Sequence, residues 1–376
     1  MLAQTPPMGW NSWNTFGWKD LHADVVQETI DAFISEGLKD AGYEYVVIDD
    51  TWQANDRVDG KLTWDEDRFP NGIKPLADYA HSKGLKFGIY SCAGTHTCAG
   101  KPGSFGYEEI DAQTFADWEV DFLKYDACYI PANSHNPTLY KRMGQALRAT
   151  GRPILYSICE WGNHQPWEWA AETGGHMWRT TGDIEDSWKS ILEIGFRKQI
   201  GKHPYAGPGG WNDPDMLVIG MHGKGNVAAG GCTDAEYRSH FGLWCLLAAP
   251  LMIGCDARHM SPLARELLLN PRLIAVNQDP LGRQGYRVGQ VEYAWEMMDV
   301  WAKPLADGSI AVGLFNLGDT RTQKIPMSWE ALGLHDRRPC QITNLWTGDD
   351  LGVHTRSFFA EIAPHDSLII KITPQN

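Results

Sequence analysis

A chain of 376 residues with 43% hydrophobic side chains can bury a large core, which excludes a disordered chain and predicts one big domain with a smaller one beside it. Its 47 acidic residues against 33 Lys and Arg give a formal net charge of -14, which repels phosphate backbones and argues against a nucleic-acid partner. The longest apolar run, Phe241 to Gly254, is too short for a membrane span and contains Pro250, so no membrane association is expected.

In chain order, short apolar runs alternate with amphipathic stretches. Met8 to Trp13 comes first. Asp24 to Gly42 carries Val26, Ile30, Phe33, Ile34 and Leu38 at helical spacing, with Asp24 and Gln27 arranged like a capping box. Tyr43 to Asp49 reads as a β-branched strand ending in two acids, Asp49 and Asp50. The cycle then repeats: helix Lys74 to Lys83 stopping at Gly84, strand Lys86 to Tyr90, helix Ala112 to Val120, strand Phe122 to Asp126. A helix marked by Leu139, Met143 and Leu147 precedes strand Ile154 to Ile158. Strand Met177 to Arg179, helix Trp188 to Lys198, a short strand before Gly207, a helix around Glu236 to Leu247 and strand Pro250 to Gly254 complete about eight β/α units. Such alternation predicts a parallel sheet, and eight units at this length fit a closed (β/α)8 TIM barrel over residues 1–285. No G-x-G-x-x-G follows the first strand, which argues against a dinucleotide fold.

Beyond about Gly285 the helical period disappears. Val291 to Trp295, Val300 to Lys303, Ser309 to Asn316, Gln341 to Asn344 and Ser367 to Ile372 read as short strands, with Asp307-Gly308 as a hairpin turn and one helical turn near Trp329. Residues 286–376 are therefore expected to form an antiparallel β-sandwich.

Eight cysteines include no C-x-x-C pair, and no histidine pair has zinc-site spacing, so neither a metal nor a cofactor is implied. Cys232, Cys245 and Cys255 lie in apolar segments and read as small buried hydrophobes. No secretory leader precedes Thr5-Pro6-Pro7, so the chain as given reads as cytoplasmic, or as secreted or periplasmic with a leader removed.

Barrel enzymes carry their chemistry at the C-terminal ends of strands. Those ends gather Trp13, Asp49-Asp50, Tyr90, Lys124 and Asp126, Cys159-Glu160-Trp161, Arg179 with Asp183, and Asp213 with Asp215. Lys124 and Asp126 are two apart and share one strand face, so the cation favours an ionised, nucleophilic carboxylate. Taken alone, the pair is equally a surface ion pair, Asp183 a helix cap, Asp49-Asp50 an Asx turn, and Tyr90 and Trp13 core aromatics. Together, carboxylates among aromatics suit a polyol, and two of them suit glycoside hydrolysis; the 17 tryptophans agree mildly with a sugar ligand.

Met8-Gly9-Trp10-Asn11-Ser12-Trp13, Ile48-Asp49-Asp50, Gly88-Ile89-Tyr90, Thr97-Cys98-Ala99-Gly100 and Leu123-Lys124-Tyr125-Asp126 are followed by Cys159-Glu160-Trp161, Gly182-Asp183-Ile184-Glu185-Asp186-Ser187-Trp188 and Gly207-Pro208-Gly209-Gly210-Trp211-Asn212-Asp213-Pro214-Asp215-Met216. This collinear set, with Asn277-Gln278-Asp279-Pro280-Leu281-Gly282, resembles glycoside hydrolase family 27, mainly α-galactosidases and α-N-acetylgalactosaminidases. The resemblance implies Asp126 as nucleophile and Asp183 as general acid and base, about 5–5.5 Å apart as in retaining enzymes. Asp126 would be ionised, and Asp183 protonated through burial and the charge of Asp126. It further implies that Trp13, Asp49, Asp50, Tyr90, Lys124, Arg179 and Asp215 hold a terminal α-linked galactose of a small molecule or oligosaccharide, with Met216 lining the same pocket. Cys98 and Cys128 would form a disulfide at the rim, with free buried thiols as the alternative. Many eukaryotic members have a cysteine where this chain has Thr51.

Cys159 and Trp161 favour galactose over N-acetylgalactosamine, whose enzymes carry small residues in that loop. A β-L-arabinopyranosidase is a second alternative, but related enzymes enlarge one acid of the Asp pair to Glu, unlike this chain. A non-catalytic galactose-binding protein is disfavoured because both catalytic aspartates are present. The natural aglycone and any oligomer are left open.

Overall fold

The structure, a computed structural model, describes residues 2–293 and 296–375. Eight parallel strands, β1 (Met8–Asn11), β2 (Tyr45–Val47), β3 (Lys86–Cys92), β4 (Phe122–Asp126), β5 (Leu155–Cys159), β6 (Met177–Arg179), β7 (Trp211–Asp213) and β8 (Leu251–Ile253), lie in the order β7-β6-β5-β4-β3-β2-β1-β8. The sheet curls until its ends meet. There Leu217, just past β7, forms a single bridge with Ile253: its N–H donates to Met252 O at 2.8 Å and its carbonyl accepts from Gly254 N–H at 2.9 Å. The helices α1 (Trp13–Phe16), α2 (Ala23–Ser35), α3 (Lys74–Ser82), α4 (Glu108–Asp117), α5 (Asn136–Ala149), α6 (Ala170–Thr173), α7 (Trp188–Ile191), α8 (Asp234–Leu246), α9 (Pro262–Leu268) and α10 (Pro271–Asn277) complete this part of the chain.

Strand parity decides what points into the barrel. Tyr45, Val47, Phe122, Leu155, Met177, Trp211 and Met252 pack together in its interior. Their neighbours Val46, Ile48, Leu123, Tyr125, Tyr156, Ile158 and Trp178 belong to the larger core that includes the helices. Successive side chains alternate between faces, so Asp49 follows Val47 inward, Lys124 and Asp126 follow Phe122, and Arg179 follows Met177. The apolar interior thus gives way to a cluster of charges at the C-terminal ends of the strands.

The seventh strand corrects the sequence reading. It lies after Gly207, not before it, because Gly207 to Gly210 is a tight turn closed by mutual hydrogen bonds of 2.8 and 2.9 Å. Helix α2 ends at Ser35 rather than near Gly42, and its N-cap is His22 without a side-chain cap, so Asp24 and Gln27 form no capping box. A capping box is present at α8, between Thr233 and Glu236. The stretch read as one helix from Trp188 to Lys198 changes into a π-helical segment at Leu192–Arg197. Gly84 does stop α3: at φ 70° it follows Lys83, and the N–H groups of Gly84 and Leu85 return to His81 O and Ala80 O.

Eight antiparallel strands follow: β9 (Tyr286–Tyr293), β10 (Glu296–Pro304), β11 (Ile310–Asn316), β12 (Gln323–Ser328), β13 (Cys340–Asn344), β14 (Asp350–His354), β15 (Ser357–Ile362) and β16 (Ser367–Pro374). A six-stranded sheet, β14-β13-β16-β11-β10-β9, faces the pair β12-β15 across a core of Val300, Val312, Leu314, Ile325, Met327, Ile342 and Ile370. The sequence reading missed β12, β14 and β15; Ala294 and Trp295 of its first strand lie outside the described residues. Trp329 caps a 3-10 turn, Glu330–Leu332.

Helix α8 joins the two parts. Its Gly242 lies so close to Ile369 that a Cβ would stand 2.8 Å from Cδ1, and Arg238 pairs with Asp366 at 3.1 Å. Beside them His365 stacks on Trp188 at 4.7 Å, with Nδ1 2.7 Å from Glu236 Oε1 and Nε2 2.9 Å from Asp319 Oδ1.

Helix packing is equally close at Gly144 of α5, where an added Cβ would meet Thr173 O at 2.0 Å. We expect Gly144→Ala to destabilise the fold by about 1–3 kcal/mol as an overpacked contact, measured as a lower denaturant midpoint. An unchanged midpoint would show that α5 gives way without cost.

Candidate active site

The inward-facing ends of seven strands surround a small cup. Trp13, Asp49, Asp50, Tyr90, Lys124, Asp126, Trp161, Arg179, Asp183, Asp215 and Met216 all line it, together with Cys98. Cys159 does not. It points inward but is 1% exposed, with Sγ 3.7 Å from Arg179 Nη1, beneath that guanidinium rather than in the wall.

Asp126 sits on the floor. Its Oδ2 accepts from Tyr90 Oη at 2.8 Å, and its Oδ1 accepts from the Ala127 N–H at 2.8 Å. Burial pushes its pKa up to about 6 against the opposing pull of Lys124, Ala127 and Tyr90. Tyr90 itself stays protonated, because burial and the surrounding acids drive its pKa far up. The Cys98–Cys128 disulfide borders this carboxylate, with Cys98 Sγ 3.7 Å from Asp126 Oδ2 and Cys128 Sγ 3.9 Å from Tyr90 Oη. The two sulfurs and Asp126 are close enough to hold a metal ion, but the sulfurs are bonded to each other.

Lys124 shares the face of Asp126, yet its direct partner is Asp49, at 2.8 Å. Burial opposes its charge, but Asp49 and the other acids outweigh that and keep it protonated. Asp49 Oδ2 also accepts from Asn11 Nδ2 at 2.7 Å. Asp50 turns away from the strand line: its Oδ2 accepts the Ala99 N–H at 2.8 Å, and burial raises its pKa. The turn that lets adjacent acids serve one cup has Thr51 at φ 78°, an unusual conformation for a β-branched residue.

On the opposite side Arg179, 3% exposed, is a three-way hub. Its Nη2 lies 3.0 Å from Asp183 Oδ1, 3.1 Å from Asp215 Oδ2 and 3.1 Å from Thr181 O. Asp215, at φ 83°, receives the Ile184 N–H at 2.8 Å, and its own N–H donates to Asp213 Oδ1 at 2.9 Å. Asp183 stands at the mouth, with 65% of its side chain open to solvent. What desolvation it has would raise its pKa, but Arg179 and Lys124 outweigh this and hold the carboxyl below its ordinary range. The direction at Asp183 runs against the expectation of a protonated acid: the exposed carboxyl is paired with a cation and lowered, and the buried one is raised.

Several supporting groups surround the cup, of which sequence reasoning missed Asn11, Asn14 and Val227. Asn14 and Val227 line the cup, Asn11 orients Asp49, and buried Asp213, its pKa pushed up to about 6 by burial, holds Asp215. Glu160 is fully buried and closes the turn that presents Trp161. Its carboxylate accepts from Asn136 Nδ2 and the His164 N–H, both at 3.1 Å, and pairs with the His164 ring. Trp161 adopts φ 58° in this turn. For Asn11 the signal was available, since it is a polar residue at an inward strand end. Val227 carried none.

Comparison with known proteins adds the following. The family model for alpha galactosidase A matches residues 5–279, and that for the alpha galactosidase C-terminal beta sandwich domain matches residues 296–372. An alpha-galactosidase of Cyamopsis tetragonoloba is 46% identical over 377 residues, spanning 100% of this chain and 88% of that protein. Alpha-galactosidase I from Mortierella vinacea superposes with a TM-score of 0.90 at 36% identity, over 99% of this chain and 97% of that one. The Saccharomyces cerevisiae α-galactosidase with raffinose also gives 0.90, at 29% identity, over 100% and 98%.

The pull of Lys124 on Asp126 can be measured directly. Replacing Lys124 with Met removes a charge that lowers the Asp126 pKa, so the titration midpoint should move upward from about 6. The carboxyl-carbon resonance of aspartate-labelled protein reads this. A downward or absent shift would place the stabilising charge elsewhere.

Proposed function

The chain belongs to glycoside hydrolase family 27, the α-galactosidase family, and from that premise we propose that it releases terminal α-linked D-galactose by double displacement with retention of configuration. The observation that carries this reading is the arrangement of two carboxyls of unlike surroundings in one cup: Asp126 buried on the floor and Asp183 open at the mouth. Asp126 attacks the anomeric carbon, forming a glycosyl ester, while Asp183 protonates the departing oxygen. Asp183 then takes a proton from water, which cleaves the ester. Around the sugar, Asp49, Asp50, Lys124, Arg179 and Asp215 offer hydrogen bonds to hydroxyls, and Trp13, Tyr90, Trp161 and Met216 cover its apolar faces.

The pKa order of the free protein fits this chemistry if the pair holds one proton. That proton resides mainly on Asp126 before binding. A sugar seated between the two carboxyls covers the exposed Asp183 and removes its water, which favours the neutral acid there. Asp126 retains Tyr90 and the Ala127 N–H as donors to its ionised form.

The substrates we assign are small galactosides and oligosaccharides ending in galactose, in keeping with the raffinose-bound relative. Trp161 in the wall leaves little room for an acetamido group, which supports galactose over N-acetylgalactosamine. The unaltered Asp49-Asp50 pair speaks against an arabinopyranosidase. Residues 1–285 form the catalytic unit and 286–376 the sandwich in this reading.

The decisive experiment compares variants on two leaving groups. Asp126→Asn should abolish hydrolysis of both raffinose and a nitrophenyl α-galactoside without loss of fold. Asp183→Asn should spare the activated aryl substrate's first step far more than raffinose, with azide restoring turnover of the intermediate. Equal losses on both substrates and no azide effect would move the acid role to another residue. The wild-type enzyme should strongly prefer nitrophenyl galactoside over the N-acetylgalactosaminide; comparable rates would remove Trp161 from specificity.

The shared proton also fixes a pH profile. Free-enzyme kcat/KM should be highest below neutrality and fall as pH rises through about 6, where the pair loses its one proton. An activity that instead rises through pH 6 would contradict this protonation order.

A further inference from the structure

A general acid must lie within hydrogen-bond reach of the oxygen it protonates, so the leaving group occupies the space beside Asp183. The wall there is no strand end. It is a glycine-rich loop, residues 222–231, between β7 and α8, and it reaches the cup through one side chain, Val227.

Two separate anchors fix this loop. On one side the N–H groups of Asn226 and Val227 donate to Asn14 O at 2.7 and 3.4 Å, tying it to the turn that carries Trp13. On the other it is clamped by Asp186, three residues beyond Asp183 and fully buried. Asp186 N–H donates to Val227 O at 3.0 Å, Gly231 N–H donates to Asp186 O at 3.0 Å, and the Asp186 carboxylate accepts from Gly223 N–H at 2.7 Å and Tyr237 Oη at 2.9 Å. The loop also crowds against its supports: a Cβ on Gly225, at φ 84°, would lie 2.7 Å from Asn14 O, and one on Gly231, at φ 86°, 2.6 Å from Gly223 N. Val227 is therefore held in one place, by the same segment that carries Asp183.

We propose that Val227, held by Asp186 and Asn14, is the specificity-determining wall of the leaving-group site, and that the site takes a compact uncharged sugar. The proposal rests on the galactoside reading above. Val227 stands between exposed Asn226 and exposed Ala228-Ala229, with Lys224 further along the loop, so it offers an apolar contact of sugar size beside amide, ammonium and peptide groups for hydroxyls. Residues 222–231 expose no large hydrophobic side chain that would favour a lipid.

The test separates the leaving-group site from the galactose site. Val227→Trp and Val227→Ala are compared on melibiose, whose leaving group is glucose, and on α-galactosyl fluoride, whose leaving group is a single atom. Inhibition by free galactose reads the sugar site alone. We expect Val227→Trp to lower the melibiose-to-fluoride ratio of kcat/KM by tenfold or more, and Val227→Ala to change it by roughly threefold, with the galactose inhibition constant moving much less than the ratio. Circular dichroism checks the fold, and Val227→Ala carries the test if the tryptophan disturbs it. Parallel losses on both substrates would place Val227 against the galactose ring and overturn the proposal, as would an unaltered ratio in both variants. A wild-type protein that fails to hydrolyse the fluoride would count against the galactoside reading itself, a result distinct from either.

Discussion

Two cations buried at one end of a barrel dictate much of the arrangement around them. Lys124 is 15% exposed and Arg179 3% in their side chains, and an unpaired charge in such surroundings is costly. Each is therefore matched from another strand end, Lys124 by Asp49 two strands away and Arg179 by Asp215 past the adjacent β7. The pairings orient both acids, and among the described residues no cation lies within ion-pair distance of Asp126. Its charge is stabilised by Lys124 at longer range and by two dipoles it touches, the Tyr90 hydroxyl and its neighbouring amide. The result is a carboxylate that is ionised only reluctantly, which suits a group that must form a bond rather than keep a counter-ion.

The same cations, with unequal burial, set the pKa order of the two central carboxyls, the buried Asp126 above its ordinary range and the exposed Asp183 below it. A reading that equates burial with neutrality and exposure with charge describes the free protein well. It fails only when carried over to the complex, because substrate itself is part of the dielectric. An acid at the mouth has solvent to lose on binding, whereas one on the floor has little left.

Much of this was legible in the sequence because barrel strands end in polar residues where their neighbours are apolar. Phe122-Leu123-Lys124-Tyr125-Asp126 announces its own parity, and the two inward charges followed from it. What the sequence left unread has physical causes. Lys124 and Asp126 share a face, but which acid the ammonium reaches depends on side-chain length and on β2, two strands away, so Asp49 was not foreseen as its partner. β7 was misplaced because three residues give no period, and the glycine turn before it resembles a strand end. β14 and β15 were missed because their exposed, mixed composition lacks a clear alternation, whereas β12 alternates buried and exposed residues but contains Pro326. Val227 lies in a loop whose place is set by Asp186 and Asn14, so no local pattern could have marked it.

The contact at His365 has a bearing on modularity. This ring joins Glu236 of α8 to Asp319 of the sandwich and lies on Trp188, five residues past Asp183. The β-sandwich is thereby spliced into the scaffold that holds the acid at the mouth of the cup. In a chimera that exchanged the terminal domain for that of another hydrolase, the foreign loop would have to supply an aromatic cation-capable ring at the same spot, or the segment bearing Asp183 would lose its backing. Recombination between such enzymes would then succeed more readily at crossovers that keep α7, α8 and the 365 loop from a single parent than at the nominal border between the two halves.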